Sequence, residues 1–366
     1  MPKQTHRKSA IENEDAMAIV QNLIVEEFGA FIGKHSERLI VTKGDAKIAQ
    51  APLLHLESVL IAGYGVSISA DAVKECTERG IPIHFVSGSG NPYASLYSAG
   101  LAGTVVTRRA QYDAFRDARG LTLSIAFAQG KIRNQANLLK YMGKYRKETA
   151  PELFETLREC ADRLLDHGAE LERVRSFPDV LSGEHATIDD WRFEILGIEG
   201  RAAQMYWDAI KHVLPADCDW HGREGRGAKD PVNSALNYGY GILYGQIERA
   251  LVLAGLDPYA GFTHVDRPGK PSLTLDAIEE FRQPVVDRTI FGLVNKGVKI
   301  EQDERGWLID ETRRMLAEKI LNRLESAEKY EKKNMPLRVI LQSQARHLAT
   351  FLRGERDIYQ PFVMEW

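Results

Sequence analysis

The chain reads as an α+β protein in which a strand-rich N-terminal region, a small sandwich or roll, precedes a larger all-α region. Two observations carry this. Five short runs of β-branched and aromatic residues, separated by turn residues, crowd the first hundred positions. After Thr107 the pattern changes to long apolar stripes of helical period. At 366 residues the chain has room for two cores.

Residues 1–22 are polar and lack the apolar centre of a secretion signal, so they read as a tail. The expected strands are LIVEEFGAFIGK (23–34), RLIVTKG (38–44), KIAQAPL (47–53), SVLIAG (58–63) and IPIHFV (81–86). One helix interrupts them, from the N-cap Ser69 to Arg79, with Gly80 as its stop. The glycine-rich pieces GYGVSIS (63–69) and SGSGN (87–91) lack the strand, glycine spacing and helix of a dinucleotide site and read as turns. A boundary near residue 105 divides a β domain (23–105) from a helical domain (106–366). Helical periodicity begins in the stretch after Thr107 and runs through Lys147. It returns over 151–174, 187–213, 231–254, 272–296, 306–330 and 335–353, with a loop rich in Gly, Pro and charge at 215–231.

Composition bounds the function. Hydrophobic residues make up 44% and charged residues 27%, ordinary for a soluble globular chain, and no apolar run is long enough to span a bilayer. Cys76, Cys160 and Cys218 are odd in number and far apart, which argues against a disulfide framework or a zinc knuckle and favours a reducing cytoplasm. The net charge of −3 means that binding a polyanion would need local basic patches.

Glu199 is the first residue that carries chemistry. Its helical neighbours are Ile195, Leu196, Ala202 and Ala203, so a carboxylate sits inside the apolar stripe. Such a group needs a metal, a cationic partner such as Arg201 or Arg288, or a proton. Gly197 and Gly200 flank it and leave space for another segment or a nucleic-acid backbone. In the segment 260–288, Asp276 and Glu279 lie at i and i+3 on one face of a helix begun by Ser272, and His264 precedes the loop before it. Carboxylates and an imidazole drawn from separate segments suit Mg²⁺ or Mn²⁺, and an ion so held serves phosphate-ester chemistry. Asp266, Glu280 and Asp287 stay open as further ligands, although Glu280 and Glu279 do not share a helix face.

Two basic features accompany these acids. Between residues 131 and 147 lie Lys131, Arg133, Lys140, Lys144, Arg146 and Lys147 with no acid among them. Positions 133, 140, 144 and 147 share a helical face with Tyr141 and Tyr145 interleaved, a stripe suited either to a phosphate backbone or to plain solvent. A second candidate is the loop with His221, Arg223, Arg226 and Lys229.

Several ordered blocks then stand out: GVSIS (65–69) with CTERGIPIHFV (76–86), RRAQYDAF (108–115), GKIRNQANLL (130–139), LGIEGRAAQMYW (196–207), the long stretch 230–264 ending in GFTH, and SLTLDAIEEFRQPVVDR (272–288). On these the chain resembles the CRISPR-associated protein one family over nearly its whole length beyond the tail. The resemblance implies metal ligands at Glu199, His264 and Glu279, with Asp276, Asn233 and Tyr240 near them, Asp276 as a holder of a second ion or a coordinated water. It further implies a homodimer formed through the β domain, and two such dimers clamping a dimer of CRISPR-associated protein two in a heterohexamer. The implied activity is insertion of short DNA fragments into a repeat array by metal-dependent transesterification, with a DNA 3′-hydroxyl as nucleophile. A DNA-binding scaffold of the same fold and a hydrolase of small phosphate esters are the alternatives.

Overall fold

The computed structural model describes residues 22–56, 58–87, 92–96, 105–177, 187–218, 220–225 and 227–365. The polar tail up to residue 21, the SGSGN turn after its first residue and Arg226 lie outside the described residues, and Asn22, counted with the tail, opens the first strand.

The strand-rich region is a sandwich of two four-stranded sheets. One has the order β1 (Asn22–Val25), β5 (Ser58–Ile61), β7 (Ile83–Val86) and β8 (Pro92–Leu96), parallel except for the last pair. The other runs β4 (Ala46–Pro52), β3 (Arg38–Lys43), β2 (Ala30–His35) and β6 (Ser67–Ile68), with the β2–β6 pair parallel. The run 23–34 is two strands, because Gly29 turns the chain at φ +79° between them. Between the sheets lie Leu23, Val25, Ile32, Leu39, Val41, Val59, Ile61 and Ile83, closed by Ala72 and Cys76 of α1 (Ala70–Glu78). Ser69 caps α1, its side chain accepting from the Ala72 amide.

β5 is buried along its whole length. Val59 and Ile61 face the sandwich, whereas Leu60, with Ala62 and Val86, joins the core of the helical region. This explains why SVLIAG is a continuous apolar run: both faces are covered.

The helical region comprises α2 (Val105–Ala114), α3 (Ala118–Lys144), α4 (Pro151–Val174), α5 (Ile188–Lys211), α6 (Pro231–Leu253), α7 (Ser272–Ala277), α8 (Arg288–Val294), α9 (Asp310–Glu325) and α10 (Leu337–Leu352). α3 is the central one, with 18 of its residues buried, which is why its stripe is so wide.

Two expectations are corrected. The run 272–296 is not one helix. After α7 it tightens to a 3₁₀ turn over Ile278–Glu280 and widens to a π turn over Arg282–Asp287 before α8. Pro284 is the physical reason, since it has no amide to donate and its ring crowds the carbonyl four residues back. The region is also not purely helical. The run 306–330 ends in β9 (Ala327–Tyr330), which pairs with β10 (Lys333–Pro336) in a hairpin. Its two-residue turn places Glu331 and Lys332 at φ 45° and 65°, residues that give no Asn-Gly signal in the sequence.

Glu26 marks the join between the two regions. Its Oε1 accepts from Tyr238 on α6 at 2.9 Å, while Oε2 has no hydrogen bond and Arg314 Nε comes only to 4.0 Å. Burial pushes its pKa from 4.5 to about 7, against the pull of Tyr238, Arg313 and Arg314. The folded chain therefore holds a proton there that the unfolded chain has lost, and stability falls as pH rises from 4.5 towards 7. The Glu26→Gln variant is expected to melt higher than the parent at pH 8, by roughly 2–3 kcal/mol, and to lose that advantage at pH 5. Equal differences at the two pH values in thermal melts would contradict this.

Candidate metal and nucleic-acid site

The site forms where α3, α5 and the 3₁₀ turn meet. Thr187 opens α5 with a capping box closed by Asp190, and the helix carries Glu199 to the seam with α3. There Lys131 of α3 donates from its ammonium to Glu199 Oε1. The same ammonium lies 2.9 Å from Glu279 Oε2. All three side chains are largely buried. Glu279 Oε1 faces Arg282 Nε at 3.0 Å. Burial would raise the Glu279 pKa, but Arg282, Lys131 and His264 outweigh it and hold the carboxyl at about 2.

His264 reaches the same place from the loop before α7. Gly261 lets that loop lie against the helix start, since a Cβ there would sit 2.5 Å from the Ser272 carbonyl carbon. Asp276, fully buried, accepts from the amides of Phe262 (2.6 Å), Thr263 (3.1 Å) and His264 (3.0 Å), and from His264 Nδ1 at 2.7 Å. This leaves Nε2 as the ring nitrogen not engaged by Asp276. Burial disfavours the imidazolium, yet Asp276, Glu279 and Glu199 together raise the His264 pKa above its usual 6.5.

The other acids are absorbed by protein partners. Asp266 lies 2.6 Å from Ser272 Oγ. Asp287 accepts from Tyr206 at 2.8 Å and from Tyr240, and burial raises its pKa to about 6. Glu280 points away from Glu279 and bonds Tyr359, Gln344 and the Phe362 amide. Asp276 too is met by protein donors, three amides and the His264 ring sharing its two oxygens. The cationic partner of Glu199 is neither of the arginines considered: Arg201 pairs with Glu170 and Arg288 with Glu328.

Lys131 stands apart from the other basic residues of its run. It turns inward to the two carboxylates, away from the stripe formed by Arg133, Lys140 and Lys144, which are exposed. Lys147 is exposed as well but lies past the end of α3. Lys140 pairs with Asp162 at 3.0 Å, and Arg146 caps the Met142 and Val213 carbonyls. Among the described residues, a Cβ on Gly197 would meet only Arg201 Nη1, at 3.7 Å, and one on Gly200 would meet nothing within 4 Å.

A groove of about 1200 Å³ adjoins the site at Arg282 and Tyr240. Arg223, Lys229, Arg267, Lys270, Arg282 and Arg305 line it together with Tyr93, Tyr244 and Trp307, and among the described residues no carboxylate does. The Tyr240 ring lies between two guanidiniums, Arg282 at 4.7 Å and Arg223 at 5.4 Å. Asn233 holds the Arg223 loop by donating to Gly222 O and accepting from the Glu224 amide and Arg223 Nη1. Arg267, Lys270 and Arg305 were missed in sequence because they lie on separate loops and form no periodic stripe.

Among the described residues, no three His, Cys, Asp or Glu side chains are arranged to hold a metal ion. The donor chemistry nonetheless fits a divalent cation. Glu199 and Glu279 already converge on one positive charge, the Lys131 ammonium, and Glu279 Oε2 is buried with that ion pair but no directed hydrogen bond.

The fold, a β-sandwich followed by helices, is one shared by solved structures. A casposase bound to integration product superposes with a TM-score of 0.75 at 20% identity, covering 93% of each chain. A Cas6-RT-Cas1–Cas2 complex matches at a TM-score of 0.69 and 22% identity, over 95% of this chain and 37% of that one. The model of the family described as CRISPR associated protein Cas1 matches residues 23–322, and the chain belongs to that family. A relative from Archaeoglobus fulgidus, named CRISPR-associated endonuclease Cas1 1, is 38% identical over 94% of this chain and 99% of its own length. No helix among the described residues is long and apolar enough to cross a membrane.

Proposed function

We propose that this protein is a metal-dependent DNA endonuclease and integrase of CRISPR adaptation. The observation that carries the reading is the pair Glu199 and Glu279 converging on Lys131, with Arg282 facing Glu279 and also lining a groove whose charged lining, among the described residues, is cationic. Glu199, Glu279 and His264 would hold Mg²⁺ or Mn²⁺. When bound, such an ion supplies Lewis-acid polarisation of a phosphoryl oxygen.

The chain's own residues do the rest. Asp276 fixes the His264 ring through Nδ1 and so selects Nε2 for the site. Arg282 restrains Glu279 and stands where the groove meets the cluster, placed to meet a phosphate. The remaining groove cations bind the backbone, and Tyr93, Tyr244 and Trp307 offer stacking faces for unpaired bases. In strand transfer the 3′-hydroxyl oxygen of a fragment forms the new P–O bond while the bond to the departing 3′ oxygen of the repeat strand breaks.

The division into a dimerising part, 23–105, and a catalytic part, 106–366, belongs to the same reading. Phe28, Phe31, Leu54 and Tyr64 are exposed on the sandwich, which supports a homodimer formed there. Two such dimers would clamp a dimer of CRISPR-associated protein two as a heterohexamer.

The decisive assay is integration of a short duplex into supercoiled plasmid, with the small partner present and Mn²⁺ or Mg²⁺ varied. Metal-dependent covalent joining is expected. DNA binding without joining at any metal concentration would favour the scaffold reading. For the groove, Lys270→Ala and Arg305→Ala are each expected to reduce the slope of log binding constant against log salt by about one. An unchanged slope in fluorescence titrations would remove these residues from the DNA track.

A further inference from the structure

The last described residues, 358–365, form neither helix nor strand, yet Tyr359, Phe362 and Met364 are almost wholly buried. They lie under the turn that carries Glu279. The Glu280 carboxylate accepts from Tyr359 Oη at 2.5 Å, from the Phe362 amide at 2.7 Å and from Gln344 Nε2 at 2.9 Å. Phe281 stacks on Phe362 with centroids 5.1 Å apart. Both neighbours that follow Glu279 in sequence are therefore held from below.

The third party is α3. Asn134, fully buried, donates from Nδ2 to the Glu280 carbonyl and to the Phe362 carbonyl, each at 2.9 Å, and accepts at Oδ1 from the Met364 amide at 2.8 Å. One side chain thus ties together the central helix, the turn and the C-terminal segment. Asn134 lies one turn beyond Lys131, whose ammonium faces Glu279. Fit is close on the other side as well, since a Cβ on Gly130 would come within 2.9 Å of Pro361 and 3.1 Å of Glu280.

We propose that the segment Tyr359–Met364 is a positioning strap for Glu279, acting through Glu280 and Asn134. The inference rests on the assignment of Glu279 as a metal ligand. The strap holds the turn against α3 from behind, so the Glu279 carboxylate meets its partners without searching. A 3₁₀ turn between an α-helix and a π turn has few hydrogen bonds of its own to hold it; Asn134 supplies a donor to the Glu280 carbonyl, and the strap grips the Glu280 carboxylate. Asn134, Glu280 and Tyr359 are positioning residues in this scheme, and none of them touches a reacting atom.

The test uses the full-length chain and Mn²⁺ alone as probe, with binding followed by electron paramagnetic resonance of free Mn²⁺ and folding by thermal melts without metal. Asn134→Ala is expected to weaken Mn²⁺ binding by about tenfold or more at a temperature where the variant is folded. Its strand transfer should be lost at low Mn²⁺ and recovered at high Mn²⁺. Tyr359→Phe should shift affinity in the same direction by about threefold. Glu280→Gln keeps an acceptor for the Phe362 amide and should stay within about threefold of the parent. A segment that merely fills the core would lower the melting temperature and leave affinity unchanged, and that result in folded Asn134→Ala overturns the proposal. Should Asn134→Ala not fold, Tyr359→Phe decides by the same readout. Glu279→Gln separates the two levels. If it retains Mn²⁺ affinity, the ligand assignment and the strap both fall. If it loses affinity while the strap variants keep theirs, only the strap falls.

Discussion

Glutamine in place of Glu199 is expected to reduce strand transfer by at least about 10³-fold while leaving DNA affinity within a few-fold of the parent. Glutamine keeps the volume and one acceptor oxygen for Lys131 but removes the negative charge that a divalent ion needs. The groove cations proposed to bind the backbone are untouched, so binding and chemistry should separate. The cost in stability is modest, about 1–3 kcal/mol, because Lys131 retains Glu279 as its counter-charge. Full Mn²⁺-dependent integration by the variant would remove Glu199 from the ligand set. His264→Ala should behave alike in transfer, and comparison of the two separates loss of charge from loss of a nitrogen donor.

Asparagine at 276 should produce the second large effect, this time on both stability and metal binding. Asp276 collects three backbone amides and an imidazole on two oxygens. An amide group must turn its own N–H₂ towards at least one of those donors, leaving buried groups without an acceptor. The expected loss is roughly 2–4 kcal/mol, seen as a melting temperature lower by about 5 °C or more. With Nδ1 no longer held, His264 is free to rotate, and Mn²⁺ affinity should fall by about 10–100-fold. A variant with parental melting and parental Mn²⁺ affinity would show that Asp276 does not orient the ring.

Much of this was legible from residue order, for reasons that can be named. Strand runs in the first hundred residues and wide stripes afterwards follow directly from periods of 2 and 3.6, so the two-region architecture is readable. The isolation of Glu199 within an apolar stripe marked it as needing a partner. Its partner was not readable, because Lys131 is 68 residues away in sequence and sits in a run of basic residues with no acid among them. Periodicity reports which side of a helix a residue occupies; whether a second helix covers that side depends on packing. Asp276 and Glu279 show the same limit: i, i+3 spacing puts them on one face of a regular helix. Tightening of the turn before Pro284 sends one carboxylate to the His264 loop and the other to Lys131. Of the cationic groove, Arg223 and Lys229 were legible as a basic loop, whereas Arg267, Lys270, Arg282 and Arg305 come from separate segments brought together only by the fold.

The two-sided burial of β5 has a practical corollary for dissecting this molecule. A recombinant fragment beginning at Val105 would carry a bare apolar seat where Leu60, Ala62 and Val86 had lain, and Tyr238 shorn of its carboxylate acceptor. Exposed surface of that kind drives self-association. Deletion mapping that strips away the sandwich would therefore extinguish turnover through insolubility, even though every reacting group remained in the polypeptide.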